Sequence, residues 1–253
     1  MMNKRLILVL FLVLVFLVFN SPAIAQDFNL PEFSFEMNSG GNEADDLVLS
    51  LRILLLLTVL SLAPAVIILF TSFTRIIIVF SILKRALALN NMPPNQVLIG
   101  IAIFLTIFIM APVWQGINQD ALQPYLNEEI SMESAYENTL NPVRNFMFDQ
   151  VDERSMALFT DMAEMERPET QDDIPTYVLI PAFLVNEIKI AFQIGFLIYI
   201  PFLMIDMIVA SILMSMGMMM LPPVIISLPF KILLFVLADG WHLLIGSLVQ
   251  TFN

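Results

Sequence analysis

The sequence has 253 residues, of which 58% are hydrophobic and only 13% are charged, whereas roughly a quarter of the residues in a soluble domain are charged. The formal net charge of −12 disfavours nucleic acid as a partner, because phosphate binding needs clustered Lys and Arg side chains. The absence of cysteine excludes disulfides, thiolate metal sites and a cysteine nucleophile, and the totals together predict a polytopic membrane protein.

The first residues have the pattern of a secretory signal peptide. A basic pair precedes an apolar run over residues 6–19, and an Ala-x-Ala site follows. We predict cleavage between Ala25 and Gln26, so that 1–25 is removed. The alternative is an uncleaved first membrane helix, for which the run is short. Residues 26–46 are then an acidic, flexible tail on the far side of the membrane.

Residues 47–114 are predicted to form a first helical hairpin. Its first part is almost wholly apolar, and Pro64 predicts a kink in one long helix. A turn rich in Asn and Pro separates this part from a second apolar segment over 97–114. Lys84 and Arg85 precede that turn, and basic residues at a short connection predict a cytoplasmic location.

Residues 115–177 form a strongly acidic segment. They contain 14 Asp and Glu residues against three Arg residues. Apolar residues recur at helical spacing over 143–165, which predicts one or two amphipathic helices outside the bilayer, on the periplasmic side. The alternative is a disordered acidic loop.

Residues 178–253 are predicted to form a second helical hairpin region. A third apolar segment covers 177–210, and a last one covers 224–252. The predicted fold is therefore an all-α membrane protein with about four long apolar segments in kinked hairpins. Both ends of the chain are expected outside, which agrees with a signal peptide.

Several charged residues lie inside the predicted apolar segments, where each costs about 2.5–3.5 kcal/mol at the bilayer centre. Glu187 and Lys189 are two residues apart, so they do not share a helix face. We predict that they form ion pairs with neighbouring subunits. Three alternatives are an intramolecular pair, a water-exposed hairpin tip and a proton relay. The other intramembrane charges, which include the candidate intramolecular partners, are Arg75, Asp206, Lys231 and Asp239.

The sequence contains no set of residues typical of an enzyme. It has no HExxH, GxSxG or Walker motif. His242 is the only histidine, and one histidine cannot build a histidine-based metal site. We therefore predict a protein that is not an enzyme and that needs no cofactor or metal.

The stretch MSMGMMMLPP, over residues 214–223, is unusually rich in methionine. Its methionines are Met214, Met216, Met218, Met219 and Met220. The two prolines predict that a helix ends here, and methionine side chains fill irregular space and repack readily. Around a symmetry axis they could close a pore by excluding water. The alternatives are a lipid-facing or core turn and a copper–thioether site.

Three long strings carry a resemblance to a known family. They are LFTSFTRIIIVFSILKRAL over 69–87, PPNQVLIGIAIFLT over 93–106 and IPFLMIDMIVASILMSMGMMMLPPVIISLPFKILLFVLADGW over 200–241. The chain resembles the FliP family of flagellar proteins, which groups with the equivalent subunits of virulence type III secretion systems. The resemblance covers nearly the whole chain after the predicted signal peptide and acidic tail, apart from parts of 115–177.

The resemblance implies a subunit of the protein export gate in the inner membrane, at the flagellar basal body. Five copies would assemble with FliQ and FliR, work with FlhA and FlhB, and pass unfolded flagellar proteins. It also implies that the Met-rich loop is a gasket, which matches Met216, Met218, Met219 and Met220 here, and that the charged pair contacts neighbouring subunits. The alternative function is a proton-coupled small-solute transporter with Glu187 and Asp206 as carriers.

Overall fold

The computed structural model describes residues 43–89, 92–165, 168–218 and 220–252. All regular elements in these ranges are helical, which confirms the predicted all-α class. The predicted cleavage site at Ala25 and Gln26 lies outside the described residues. Internal contacts divide the chain into residues 1–55 and 56–253, and the packing described below lies within the second of these units.

The helices follow one another closely along the chain. They are α1 (Glu43–Phe70), α2 (Phe73–Ala86), α3 (Asn95–Ile109), α4 (Ala111–Ile117), α5 (Gln123–Leu126), α6 (Met132–Gln150), α7 (Glu153–Met162), α8 (Thr176–Ser215), α9 (Pro223–Leu237) and α10 (Gly240–Gln250). A π-helical turn over Asn118–Leu122 joins α4 to α5, and a 3-10 turn over Gln171–Asp173 precedes α8.

The apolar helices are long and bent. Helix α8 has 40 residues and is long and apolar enough to cross a membrane by itself. Helix α1 bends by 42° at Pro64, as the sequence predicts, the α3–α4 connection bends by 53° and the α9–α10 connection by 64°. The described residues therefore hold one candidate span, or up to four if each bent pair is one span. The predicted number of spans stays a prediction.

Helix α2 forms the centre of the main core against α8. Its buried side chains recur at helical spacing, so that one face is apolar and covered; they are Ile76, Val79, Phe80, Leu83 and Ala86. On α8, Gly195 lies directly against Ile82, since a Cβ atom added to the glycine would be 2.3 Å from the Ile82 Cδ1 atom. The missing side chain thus allows close approach of the two helices.

Helices α6 and α7 are the amphipathic helices predicted for the acidic segment. Each begins with a capped turn, in which Ser131 accepts a hydrogen bond from the Ser134 amide and Asp152 accepts one from the Ser155 amide. Both helices contact α8. A second apolar cluster joins them to it, with Met147 from α6, Met156 and Phe159 from α7, and Val178, Leu179 and Phe183 from α8. The periplasmic location of this segment stays a prediction.

Candidate functional site

The Met-rich stretch is a tight turn at the end of α8. The backbone amide of Met218 donates to the Leu213 carbonyl at 3.0 Å, and the amide of Gly217 donates to the Met214 carbonyl at 3.0 Å. Gly217 has a φ of 76°. This pair of bonds with a left-handed glycine is a Schellman motif, which satisfies the last carbonyls of a helix. Gly217 therefore ends α8 and turns the chain toward α9.

The methionine side chains around this turn are uncovered in the single chain. Met214 and Met216 are 67% and 65% exposed, Met220 is 98% exposed, and Met218 is half-buried. Met219 lies outside the described residues. A contiguous exposed apolar group of this kind is typical of a surface that contacts another molecule.

A buried ion pair joins α2 to α8. The Arg75 Nε atom donates to one carboxylate oxygen of Glu187 at 3.0 Å, and its Nη2 atom donates to the other. Both side chains are almost completely buried. The bidentate geometry is the strong form of this interaction. Glu187 thus has its counter-charge within the same chain.

The remaining Arg75 donors bind two distant parts of the chain. Its Nη2 atom donates to the Gln150 Oε1 atom at 2.9 Å, and its Nη1 atom donates to the carbonyl and hydroxyl oxygens of Thr251, each at 3.0 Å. The Phe252 ring centroid lies 3.8 Å from the guanidinium carbon, a cation–π contact. Arg75 therefore connects α2, the end of α6, α8 and the residues after α10.

Polar side chains of α8 also hold the turn between α6 and α7. Asn186 donates to the Gln150 carbonyl, and Lys189 forms an ion pair with Asp152. Because Lys189 and Ser155 donate hydrogen bonds to the Asp152 carboxylate, its pKa lies well below the usual value. The pair is partly exposed, with 43% of the Lys189 side chain accessible to solvent.

A second ion pair in the apolar region joins α8 to α9. The Lys231 ammonium lies 2.6 Å from the Asp206 carboxylate and donates to the Ala86 carbonyl at 3.1 Å. The Ser227 hydroxyl donates to the other carboxylate oxygen at 2.5 Å. This cluster connects the end of α2 to the second hairpin region.

Asp239 and His242 differ from the charged residues of the apolar helices that form ion pairs. Both are exposed, and neither side chain has a hydrogen bond or ion pair with a described residue. Asp239 has a φ of 49° and lies at the bend between α9 and α10.

The structure gives intramolecular partners to the charges that the sequence singled out, except Asp239. Glu187 binds Arg75, which was one of the alternatives, and Asp206 binds Lys231. The contact of Glu187 and Lys189 with a neighbouring subunit stays a prediction.

The sequence reasoning missed the polar residues that complete these clusters. Asp152, Gln150 and Thr251 have no feature that links them to α8 in the sequence. Only Asp152 carries a usable signal, because an Asp just before an amphipathic helix is typical of an N-cap.

Comparison with known proteins agrees with these features. The sequence profile described as FliP family matches residues 56–248. Flagellar biosynthetic protein FliP of Bacillus subtilis (strain 168) is 57% identical over 203 residues, which cover 80% of this chain and 92% of the relative. The protein of the same name from Pectobacterium carotovorum subsp. carotovorum is 52% identical over 211 residues, 83% of this chain and 82% of the relative. That of Borreliella burgdorferi is 44% identical over 227 residues, 88% of each. The chain belongs to the FliP family.

Proposed function

We propose that this protein is a pore-forming subunit of the flagellar type III protein export gate. It passes unfolded flagellar subunits across the inner membrane at the flagellar basal body, and its methionine turn seals the channel when the gate is closed. The relatives named above are flagellar biosynthetic proteins by their names, and the match spans most of this chain.

The observation that carries the proposal is the exposure of the methionine turn. Flexible thioether side chains lie at the end of a 40-residue apolar helix, and Met214, Met216 and Met220 are largely exposed in the single chain. If several copies bring these turns to a common axis, the side chains form a soft apolar constriction that excludes water. Such a seal can deform around an unfolded polypeptide and close again behind it.

The proposal includes an assembly. Five copies assemble with FliQ and FliR and work with FlhA and FlhB. The assembly would give a cover to part of the exposed apolar surface, since α8 and α9 carry many uncovered large side chains that lipid or other subunits must cover. We also propose the division of the chain into tail (26–46), first hairpin (47–114), acidic periplasmic segment (115–177) and second hairpin region (178–253).

The transporter alternative is weaker in view of the ion pairs. A proton carrier must exchange its proton freely, yet Glu187 is buried in a bidentate pair with Arg75 and Asp206 is bound by Lys231 and Ser227. The contacts suit a structural role.

Substitution of the methionines tests the sealing role. The variant tested has Met218, Met219 and Met220 all changed to Ala. We expect its closed complex to leak small ions, because the shorter side chains leave a gap at the axis. The measurement is dye or ion leakage from cells or vesicles that contain the gate with its partners. Met204→Ala with Met207→Ala is the matched control, since both side chains are exposed methionines of α8 outside the turn.

Complementation tests the wider proposal. The wild-type chain should restore swimming to a flagellated strain that lacks its own FliP protein. If the variant with Met218, Met219 and Met220 changed to Ala is as impermeable to ions as the wild type, the sealing role is ruled out. Failure of the wild-type chain to enter a particle with the other gate subunits would rule out the gate itself.

A further inference from the structure

One exposed face of α10 is unlike the rest of the apolar surface. Asp239 and His242 lie one helical turn apart and are exposed. Large exposed apolar side chains flank them, with Leu237 76% and Leu243 57% accessible. An ionised carboxylate among lipid tails costs several kcal/mol, so lipid is a poor cover for this face.

The face continues along α10 at helical spacing. Gly246 and Gln250 follow Asp239 and His242 at intervals of three or four residues, and both are exposed. A Cβ atom added to Gly246 would meet no heavy atom within 4 Å. The glycine is therefore not needed for packing inside the single chain.

We propose that this face binds an apolar helix of another chain that carries one Lys or Arg side chain opposite Asp239. Charge complementarity identifies this partner. Of the acidic residues that the structure describes from α8 to α10, Glu187 and Asp206 have basic partners. Asp239 lies in the same apolar helical region but has no basic partner among the described residues.

The other residues of the face fit a helix as the partner. Small residues allow two helix backbones to approach closely in a membrane, and His and Gln side chains form hydrogen bonds between helices. Gly246 supplies the first property, and His242 and Gln250 supply the second. The inference rests on the proposed membrane complex for its setting but does not depend on the seal or the cargo.

Site-specific crosslinking in the full chain tests the proposal. A photo-crosslinking residue replaces Leu243, and the chain is studied in membranes that contain the whole complex. We expect an adduct with a protein. Asp239→Asn should lower its yield at least about tenfold, because the partner's buried cation loses its counter-charge. Asp239→Glu should restore most of the yield.

Two further variants separate charge from packing. Gly246→Leu should abolish the adduct without lowering the unfolding temperature of the isolated chain, since the added side chain points into open space and leucine favours a helix more than glycine does. A photo-crosslinker at Phe192, an exposed residue of α8, is the control whose yield should not respond to Asp239→Asn.

Each other outcome would overturn the proposal. Adducts with lipid alone would show a lipid-facing surface. A protein adduct insensitive to Asp239→Asn would show contact without the charge pair. Labelling of Leu243→Cys by a membrane-impermeant maleimide would show a water-filled path, and the chain is suited to this measurement because it has no cysteine. If the wild-type chain forms no multi-chain particle, the proposed function fails together with this inference. If the particle forms but one of the outcomes above is found, only this inference fails.

Discussion

Arg75 is a buried cation with several hydrogen-bond donors that must find acceptors inside the protein. Its side chain is buried, and its five N–H donors all find acceptors on Glu187, Gln150 and Thr251. A buried charge is tolerated only when it is paired and its donors are satisfied. The loss of any one acceptor therefore matters more here than at an exposed pair.

We expect Glu187→Ala to lower the free energy of unfolding of the single chain by about 3–5 kcal/mol, because it leaves the buried Arg75 charge without its counter-charge. The measurement is thermal or denaturant unfolding of the purified chain in detergent. Lys189→Ala is the control and should cost less than about 1 kcal/mol, since its pair with Asp152 is partly exposed.

The combination of Arg75→Met with Glu187→Leu should recover much of the loss, as apolar replacements of a buried pair often do. If Glu187→Ala unfolds like wild type but no longer enters the complex, the pair acts between subunits, as the sequence analysis predicts.

Gly195 is a second residue whose packing leads to a testable prediction, because it lies directly against Ile82. In Gly195→Ala the new Cβ atom would lie 2.3 Å and 2.9 Å from two atoms of Ile82. Overpacking costs about 1–3 kcal/mol, which exceeds the gain of about 1 kcal/mol in helix propensity. We expect a lower unfolding temperature, partly restored by Ile82→Val. Gly100→Ala, where a Cβ meets nothing within 4 Å, should not destabilise the protein.

Among the helices, α8 shows what the sequence could and could not predict. Its apolar composition predicted a long segment, and that segment is one continuous helix despite Pro181 and Pro201. The contacts of Glu187 with α2 and of Lys189 with α7 were beyond the sequence, because the partners are 112 and 37 residues away. Composition and periodicity identify elements, whereas the choice among several possible charge partners depends on how the helices pack.

Helix α7 should respond to pH through Asp152. Its folded-state pKa is depressed below the usual 3.8, so the unfolded chain binds the proton more readily. The stability that this carboxylate contributes is present above pH 3.8 and is lost as the pH falls through the lower folded pKa. The contribution is modest, on the order of 1 kcal/mol or less, because the pair is partly exposed.

The measurement for Asp152 is the unfolding temperature of wild type and Asp152→Asn between pH 7 and pH 2.5. We expect a difference near neutrality that becomes smaller as the pH falls below 3.8. A constant gap between wild type and Asp152→Asn at every pH would contradict the assignment.

Within residues 56–253, α8 is the helix that contacts α2, α6, α7 and α9. Ion pairs at Glu187, Lys189 and Asp206 join α8 to α2, α7 and α9, respectively. Apolar side chains pack between these pairs. The sequence indicated the four apolar segments and the methionine turn. It could not show which surfaces meet in the assembly, because exposed apolar side chains look the same whether lipid or protein covers them.

The two buried pairs should contribute independently to stability. Glu187 and Asp206 are 19 residues apart, about 28 Å along a helix, and share no partner. We expect the effects of Glu187→Ala and Asp206→Ala on the free energy of unfolding to add within about 0.5 kcal/mol. A double-mutant cycle measures this sum, and a coupling above about 1 kcal/mol would indicate that α8 transmits strain between the pairs.

The bend between α9 and α10 is braced in a way that limits how the second hairpin region can move. A Cβ atom at Gly240 would overlap the Phe235 ring, and that ring packs on Trp241 with their centroids 5.5 Å apart. We expect this packing to hold the angle between α9 and α10, and α9 extends about 22 Å from the corner to the methionine turn. A displacement of the exposed face of α10 would then move α9 as a rigid body. The flexible methionine side chains at the far end of α9 would be the part that rearranges.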